Sequence, residues 1–258
     1  TTHRTRATGD ALRTYFTRVI DPTSDNLADV TATAAAQAFD ICSSRCLKPW
    51  AIPDRWADDG NGVYDPGEVY DPDATGYSAP QDVGATIVLK VGNPQQAIAP
   101  GQFYPVNYPP LDHPTESPYT GGDWYREWIA ECNPFSVGIG DRLQLEPGNM
   151  VGPTNQGVDN LIALDPGAYW DSTTQSIAGS AHGRSPRIAL VPFFDPTMPP
   201  ESGRNWVTIT KVGAFFIEGT GPGGQVLGRF IQVTVPGQPC AGGAGHGNSF
   251  IKGIVLVE

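Results

Sequence analysis

Apolar positions along the chain recur with two different periods, and two long stretches carry no period at all. Over residues 8–20, Ala11, Leu12, Tyr15, Phe16, Val19 and Ile20 fall on one face at helical spacing, which predicts an amphipathic helix. Asp10 stands near its positive end, and Asp21-Pro22 closes it. Residues 29–38 turn to Thr, Val and Ala, with Val30, Ala32 and Ala34 on one side, and predict a strand. Runs of β-branched and aromatic residues predict further strands over 83–91, 142–146, 187–194, 206–218, 226–235 and 250–257. Trp124, Trp128, Ile129 and Cys132 predict one short amphipathic helix. Residues 157–164, stopped by Asp165-Pro166, predict another. The glycine-rich stretch 219–224 reads as a hairpin loop. In contrast, residues 42–84 and 92–119 are rich in Pro, Gly, Asp and Tyr and follow neither period. Ordered loops of that length are commonly functional or tied by a metal.

The elements add up to an α+β fold. It is a mostly antiparallel β-sheet with a few short helices and a large irregular Pro/Gly-rich lobe. The expected organisation is one domain over 1–258, with 1–41 and 136–258 forming the α+β core and 42–135 the lobe. No internal repeat is visible. A hydrophobic share of 39% argues against disorder, and 31 glycines with 25 prolines in no fixed period exclude a collagen-like rod. The net charge of −11 removes the basic footprint that nucleic acid or an anionic membrane surface would need. No run of 18 apolar residues is present, so no membrane-spanning helix is expected. The chain opens Thr-Thr-His-Arg with neither Met nor a signal peptide, as a mature or trimmed form would.

The four cysteines, Cys42, Cys46, Cys132 and Cys240, suit two disulfides and hence an exported protein. Three pairings are possible; the expected one is Cys42–Cys46 as a local staple and Cys132–Cys240 as a long-range tie. A long closed loop constrains the unfolded chain by on the order of 4 kcal/mol. Cys42 and Cys46 form a CxxxC, which matches neither a thioredoxin-like nor a haem-attachment motif, and no second close Cys/His pair completes a zinc site.

The strongest local motif is Asp58-Asp59-Gly60-Asn61-Gly62-Val63-Tyr64-Asp65-Pro66-Gly67-Glu68, followed by Asp71. An EF-hand-type loop presents oxygens at positions 1, 3, 5, 7, 9 and 12 around a glycine at 6. With Gly62 at position 6, Asp59, Asn61, the Val63 carbonyl, Asp65 and Glu68 take five of those slots. Ala57 stands at position 1, so Asp58, Asp54 or Asp71 would supply the missing oxygen, or water would. A lone structural Ca²⁺ loop is expected, since no amphipathic helix pair flanks it. The plain alternative is an Asp/Gly-rich turn without metal.

Catalytic motifs are weak. Gly179-Ser180-Ala181-His182-Gly183 lacks nucleophile-elbow spacing, and His3, His113, His182 and His246 are scattered. No phosphate-binding P-loop is present. The expectation is therefore a protein without catalytic residues. Paired carboxylates need only spatial closeness, so a hydrolase using Asp165, Asp171 or Glu218 stays as an alternative.

Several stretches carry a likeness to a known family. Val30-Thr-Ala-Thr-Ala-Ala-Ala36 follows Tyr15-Phe16-Thr-Arg-Val-Ile20. Cys46-Leu-Lys-Pro-Trp-Ala-Ile-Pro-Asp-Arg-Trp56 precedes Asn61-Gly-Val-Tyr-Asp-Pro-Gly-Glu68. Gly148-Asn-Met-Val-Gly-Pro-Thr154, a segment over 161–170, Ser185-Pro-Arg-Ile-Ala-Leu-Val-Pro-Phe-Phe-Asp-Pro196 and Ala214-Phe-Phe-Ile-Glu-Gly219 come next. Gly228-Arg-Phe230, Cys240 and Gly253-Ile-Val-Leu-Val257 complete the set. Together they resemble the TadE/TadG-like family associated with Flp (tight-adherence) pilus assembly. The resemblance implies a secreted domain that follows an N-terminal membrane helix absent from this chain. It brings no catalytic residues.

The first reading is a structural or adhesive bacterial cell-surface component of pilus assembly, with a filament subunit as one form. Its partners would be other subunits of the filament or pilus machinery. The second is a calcium-dependent carbohydrate-binding module, with Trp50, Trp56, Trp124 and Trp128 as the candidate contact surface for glycans.

Overall fold

The computed structural model describes residues 2–4, 12–13, 27–28, 30–32, 35–93, 104–200, 205–240 and 248–257, with side chains from residue 35 to residue 255 of these. The chain divides into two compact units, Thr1–Ala38 with Ile254–Glu258, and Phe39–Gly253. In the first, β1 (Thr2–Arg4) pairs antiparallel with β4 (Val30–Ala32), and β2 (Leu12–Arg13) with β3 (Leu27–Ala28). The helix expected over 8–20 is thus replaced by a strand at Leu12–Arg13; the rest of that span lies outside the described residues. Its Thr, Tyr, Phe, Val and Ile residues favour strands, so a helical period alone could not decide. The strand expected over 29–38 is present as β4 and the start of β5 (Ala35–Ser44).

The second unit is built on a six-stranded sheet. Its strands are β6 (Ile52–Pro53), β7 (Thr86–Lys90), β9 (Arg142–Gln144), β12 (Ile188–Phe194), β13 (Trp206–Gly221) and β14 (Gln225–Ile231). The order is β6-β12-β13-β14-β7, with β9 also on β13. All pairings are antiparallel except β6 with β12. Burial explains the sequence pattern. The continuous apolar run of β12 is buried along nearly its whole length. β13 alternates over its first five residues and is then buried on consecutive positions from Val212 to Ile217. Phe193, Phe215, Phe230 and Phe250 pack ring on ring, at centroid distances from 4.8 to 6.4 Å, with Tyr77 on Phe193 and Phe230. Each such side chain contributes roughly 1.5–3 kcal/mol by burial. The β13–β14 hairpin turns at Pro222–Gly224, where Gly223 and Gly224 take φ of 69° and 74°, a region that only glycine enters freely.

Further strands are β8 (Val137–Gly138), β15 (Val233–Thr234), β16 (Gln238–Pro239) and β17 (Ile251–Val257). They form a second sheet in the order β15-β17-β5-β16, with β8 on β5. A small ribbon pairs β10 (Tyr169–Asp171) with β11 (Ser176–Ala178). The described residues hold three α-helices: α1 (Ala79–Asp82), α2 (Gly122–Ala130) and α3 (Val151–Ala163). Helix α3 begins six residues before the expected 157. At Gly157 a side chain would stand 2.8 Å from Ile129 Cβ and 2.9 Å from the Arg126 carbonyl, so glycine permits α3 to lie close on α2. The α+β class, with mostly antiparallel strands and short helices, holds.

The expected lobe over 42–135 supplies β6 and β7 to the main sheet, and its Leu47, Trp50, Leu89, Tyr104, Tyr108 and Ile129 are all buried. These apolar anchors are spaced too irregularly to show a period. The disulfides are Cys42–Cys240 and Cys46–Cys132, spanning 198 and 86 residues, instead of a local Cys42–Cys46 staple. Cys42 lies in β5, whose extended chain runs on to Ser44 and carries the backbone away from it before Cys46. The Cys240 N–H instead bonds the Asp40 carbonyl, and the Cys46 N–H bonds the Asn133 carbonyl, which brings each true partner alongside.

Candidate metal centre

The acidic motif closes on itself as a surface loop. The Ala57 N–H donates to the Val69 carbonyl at 3.0 Å and fastens the neck. Glu68 is the hub. One carboxylate oxygen, Oε1, accepts from the Asp59 N–H at 2.8 Å. The other, Oε2, accepts from the Trp56 indole at 2.8 Å and the Asp65 N–H at 2.9 Å. Tyr64 donates its hydroxyl to the Glu68 carbonyl and sets its ring edge-on against Trp56. Asp58 accepts from the Gly60 and Gly62 N–H groups, which that tight turn can present because Gly60 and Gly62 have φ of 104° and 76°. Carboxylate oxygens of Asp58, Asp59 and Glu68 thereby come within 4.8 Å of one another. Three like charges at such a separation repel, and a hard cation with oxygen ligands would relieve that repulsion.

The other expected ligands divide. The Asn61 amide donates to Asp65 Oδ2 at 2.6 Å, and Asn61 Oδ1 accepts from the Val63 N–H, so these residues hold the turn. Asp71 points into the next turn, where its Oδ1 accepts from the Asp73 and Ala74 N–H groups and its carbonyl from Thr75 and Gly76. Asp54, weighed as a replacement ligand, is fully buried. It is paired with Lys211 Nζ at 2.9 Å and accepts from Tyr70, Tyr77 and Arg55. Burial pushes its carboxyl above the usual range, with Lys211 opposing. Lys211 lies on β13 and also donates to the Pro72 and Tyr77 carbonyls. Asp54 and Lys211 thus fasten the base of the acidic segment to the sheet. A cleft of about 250 Å³ lies beside the loop, lined by Asp54, Arg55, Trp56, Asp58, Gly62 and Tyr77 among others. The sequence did not reveal Lys211, because 157 residues separate it from Asp54.

The four tryptophans form no common stacking surface. Trp50 is buried with its indole N–H on the Tyr125 hydroxyl at 2.7 Å, and Trp128 is buried beneath Tyr108. Trp56 is half-buried on Glu68; Trp124 alone of the four is exposed, at 40%. The hydroxyl of Ser180 donates to Asp165 at 2.6 Å while the His182 ring meets the Leu164 carbonyl, so no Ser–His hydrogen bond of a triad exists there. The hydrogen bond from Ser180, with others from Ser185 and Ala181, holds the Asp165 carboxyl below its usual range. Asp171 accepts from Thr173 and Thr174, and Glu218 pairs with Arg229 at 2.7 Å. Each of these carboxylates is engaged in local structure.

Among the described residues no helix is long and apolar enough to cross a membrane. No protein-family model, no curated protein and no solved structure matches the chain.

Proposed function

We propose that this chain is an exported structural or adhesive component of a bacterial cell surface, associated with Flp/Tad-type pilus assembly, whose acidic loop takes up Ca²⁺. The observation that carries the reading is the convergence of Asp58, Asp59 and Glu68 on one point, in a protein whose four cysteines are all disulfide-bonded. Disulfides persist in oxidising compartments, and an all-oxygen donor set suits a hard cation in preference to zinc or copper. Asp58, Asp59 and Glu68 would be the direct ligands, with Asn61, Val63 and Asp65 holding the loop; water would complete the shell. The role is architectural: the ion would cancel the loop's charge and fix its shape against Trp56. The pilus association rests on the family resemblance of the sequence.

Calcium titration followed by calorimetry, with thermal unfolding in calcium and in EDTA, tests the loop. The expected result is saturable binding and a lower unfolding temperature in EDTA, restored by added calcium. Unchanged melting and no binding heat would remove the metal from the reading. Fractionation of cells, with the chain tracked in sheared surface filaments, tests the rest. Recovery only in a filament-free culture supernatant would overturn the pilus association.

A further inference from the structure

We infer that an exposed aromatic platform around Tyr119 and Trp124 is a binding site for a neutral saccharide. Tyr119 and Trp124 are 36% and 40% exposed, and their ring centroids lie 4.8 Å apart at 48°. Behind them stand Trp128, 5.5 Å from Trp124, and Phe135, stacked 6.0 Å from Tyr119. The platform is rigid before any ligand arrives. Trp124 and Trp128 ride on α2, whose inner face is pinned by the buried Tyr125 hydroxyl between Trp50 and Thr154. The Tyr119 N–H bonds the Tyr108 carbonyl at 2.7 Å, and its hydroxyl donates to Glu116 at 2.7 Å, so the ring plane is fixed at both ends. Preorganised rings lose little freedom on binding.

The chemistry around the rings selects the occupant. A pyranose presents an apolar C–H face to an aromatic ring and hydroxyls at its edge. Here Glu116 stands at the rim as an acceptor, and among the described residues the Trp124 indole N–H meets no acceptor, which leaves one donor for a ligand hydroxyl. The nearby cations are already engaged: Arg126 pairs with Asp123 at 3.1 Å and Arg142 with Asp112 at 2.6 Å. Those two pairs cancel, so of these carboxylates Glu116 alone keeps its charge uncompensated at the rim, and an acidic sugar would be repelled. The exposed apolar surface amounts to two rings bordered by charge, which matches a few sugar units and falls short of the apolar centre of a standard protein interface. The platform shares no residue with the acidic loop, so the inference stands apart from the calcium reading.

The test uses the intact chain with cellohexaose, xylohexaose and chitohexaose, followed by tryptophan fluorescence and calorimetry, with hyaluronan hexasaccharide as the anionic comparison. At least one neutral probe is expected to bind. Trp124→Ala should weaken it at least about tenfold, and Tyr119→Ala several-fold, with circular dichroism and cooperative unfolding showing that each variant is folded at the temperature of the assay. Binding should persist in EDTA at a temperature where the chain remains folded. Failure of all three neutral probes, equal binding of the hyaluronan probe, or unchanged binding in a folded Trp124→Ala variant would overturn the site. Loss in Trp124→Ala of binding to a purified filament protein, with no sugar bound, would assign the platform to a protein partner and equally overturn it.

Discussion

The acidic loop over 57–69 and the aromatic heart of the main sheet belong to the same compact unit, yet they are held by opposite means. Around Phe193, Phe215, Phe230 and Phe250 the side chains are buried and the cohesion is apolar contact, which asks nothing of the solvent's ions. In the loop most residues are exposed, and the shape comes from carboxylates drawing in backbone N–H groups, with Glu68 accepting three hydrogen bonds. Gathering Asp58, Asp59 and Glu68 adds repulsion to that shape. The difference teaches that one region is stable by its own composition, whereas the other gathers like charge that a bound cation would offset.

The largest expected effect breaks the core side. Phe230→Ala removes a ring in contact with Tyr77, Phe193, Phe215 and Phe250 and should destabilise by about 3–5 kcal/mol, equally in calcium and in EDTA. Denaturant unfolding in both media measures it; a cost that changed with calcium would dissolve the distinction between the regions.

A smaller effect sharpens the comparison through pH. Lys48 is buried, with its ammonium donating to the Glu131 carbonyl, and desolvation lowers its pKa from 10.5 to about 8; burial brings Lys90 to about 8 as well. A lysine depressed in the fold loses its proton there first, so above about pH 8 the unfolded chain holds more protons and stability rises with pH. Burial raises Tyr108 and Tyr125 above their ordinary value of 10.0. Above that pH these tyrosines ionise in the unfolded chain first, and stability falls again. Stability should therefore climb from pH 8 to a maximum near pH 10, by about 2 kcal/mol per lysine, and Lys48→Met should flatten the climb. A stability curve that declines steadily from pH 8 would contradict the burial of these amines.

The smallest expected effect concerns the loop itself. Glu68→Gln keeps the side chain's size, replaces one acceptor oxygen with a donor and lowers the gathered charge. It should cost about 1–2 kcal/mol in calcium and close to nothing in EDTA, where removal of repulsion offsets the lost hydrogen bonds. Equal losses in both media would make the loop a metal-free turn.

Much of the architecture was legible along the chain. The runs that became β7, β12, β13, β14 and β17 carry their β-branched and aromatic residues in plain view, and the glycines of the 222–224 turn mark the hairpin. The acidic loop was legible too, because its ligand candidates sit within eleven consecutive residues and the turn glycines stand among them. Asp71 was less legible: an aspartate near an acidic loop and an aspartate capping its own turn look alike until the backbone direction is known.

By itself the sequence determined what short-range chemistry determines: strand runs, the hairpin turn, the composition of the acidic loop and an even cysteine count that leaves no thiol unpaired. Only the tertiary structure decided which cysteines join, that Lys211 anchors Asp54, that Trp50 and Trp128 are core while Trp124 is surface, and that β6 and β7 join the main sheet. Each of these depends on residues tens to hundreds of positions apart becoming neighbours. Local pattern constrains which face of a segment is apolar, but the partner that covers that face is chosen by the packing of the whole chain.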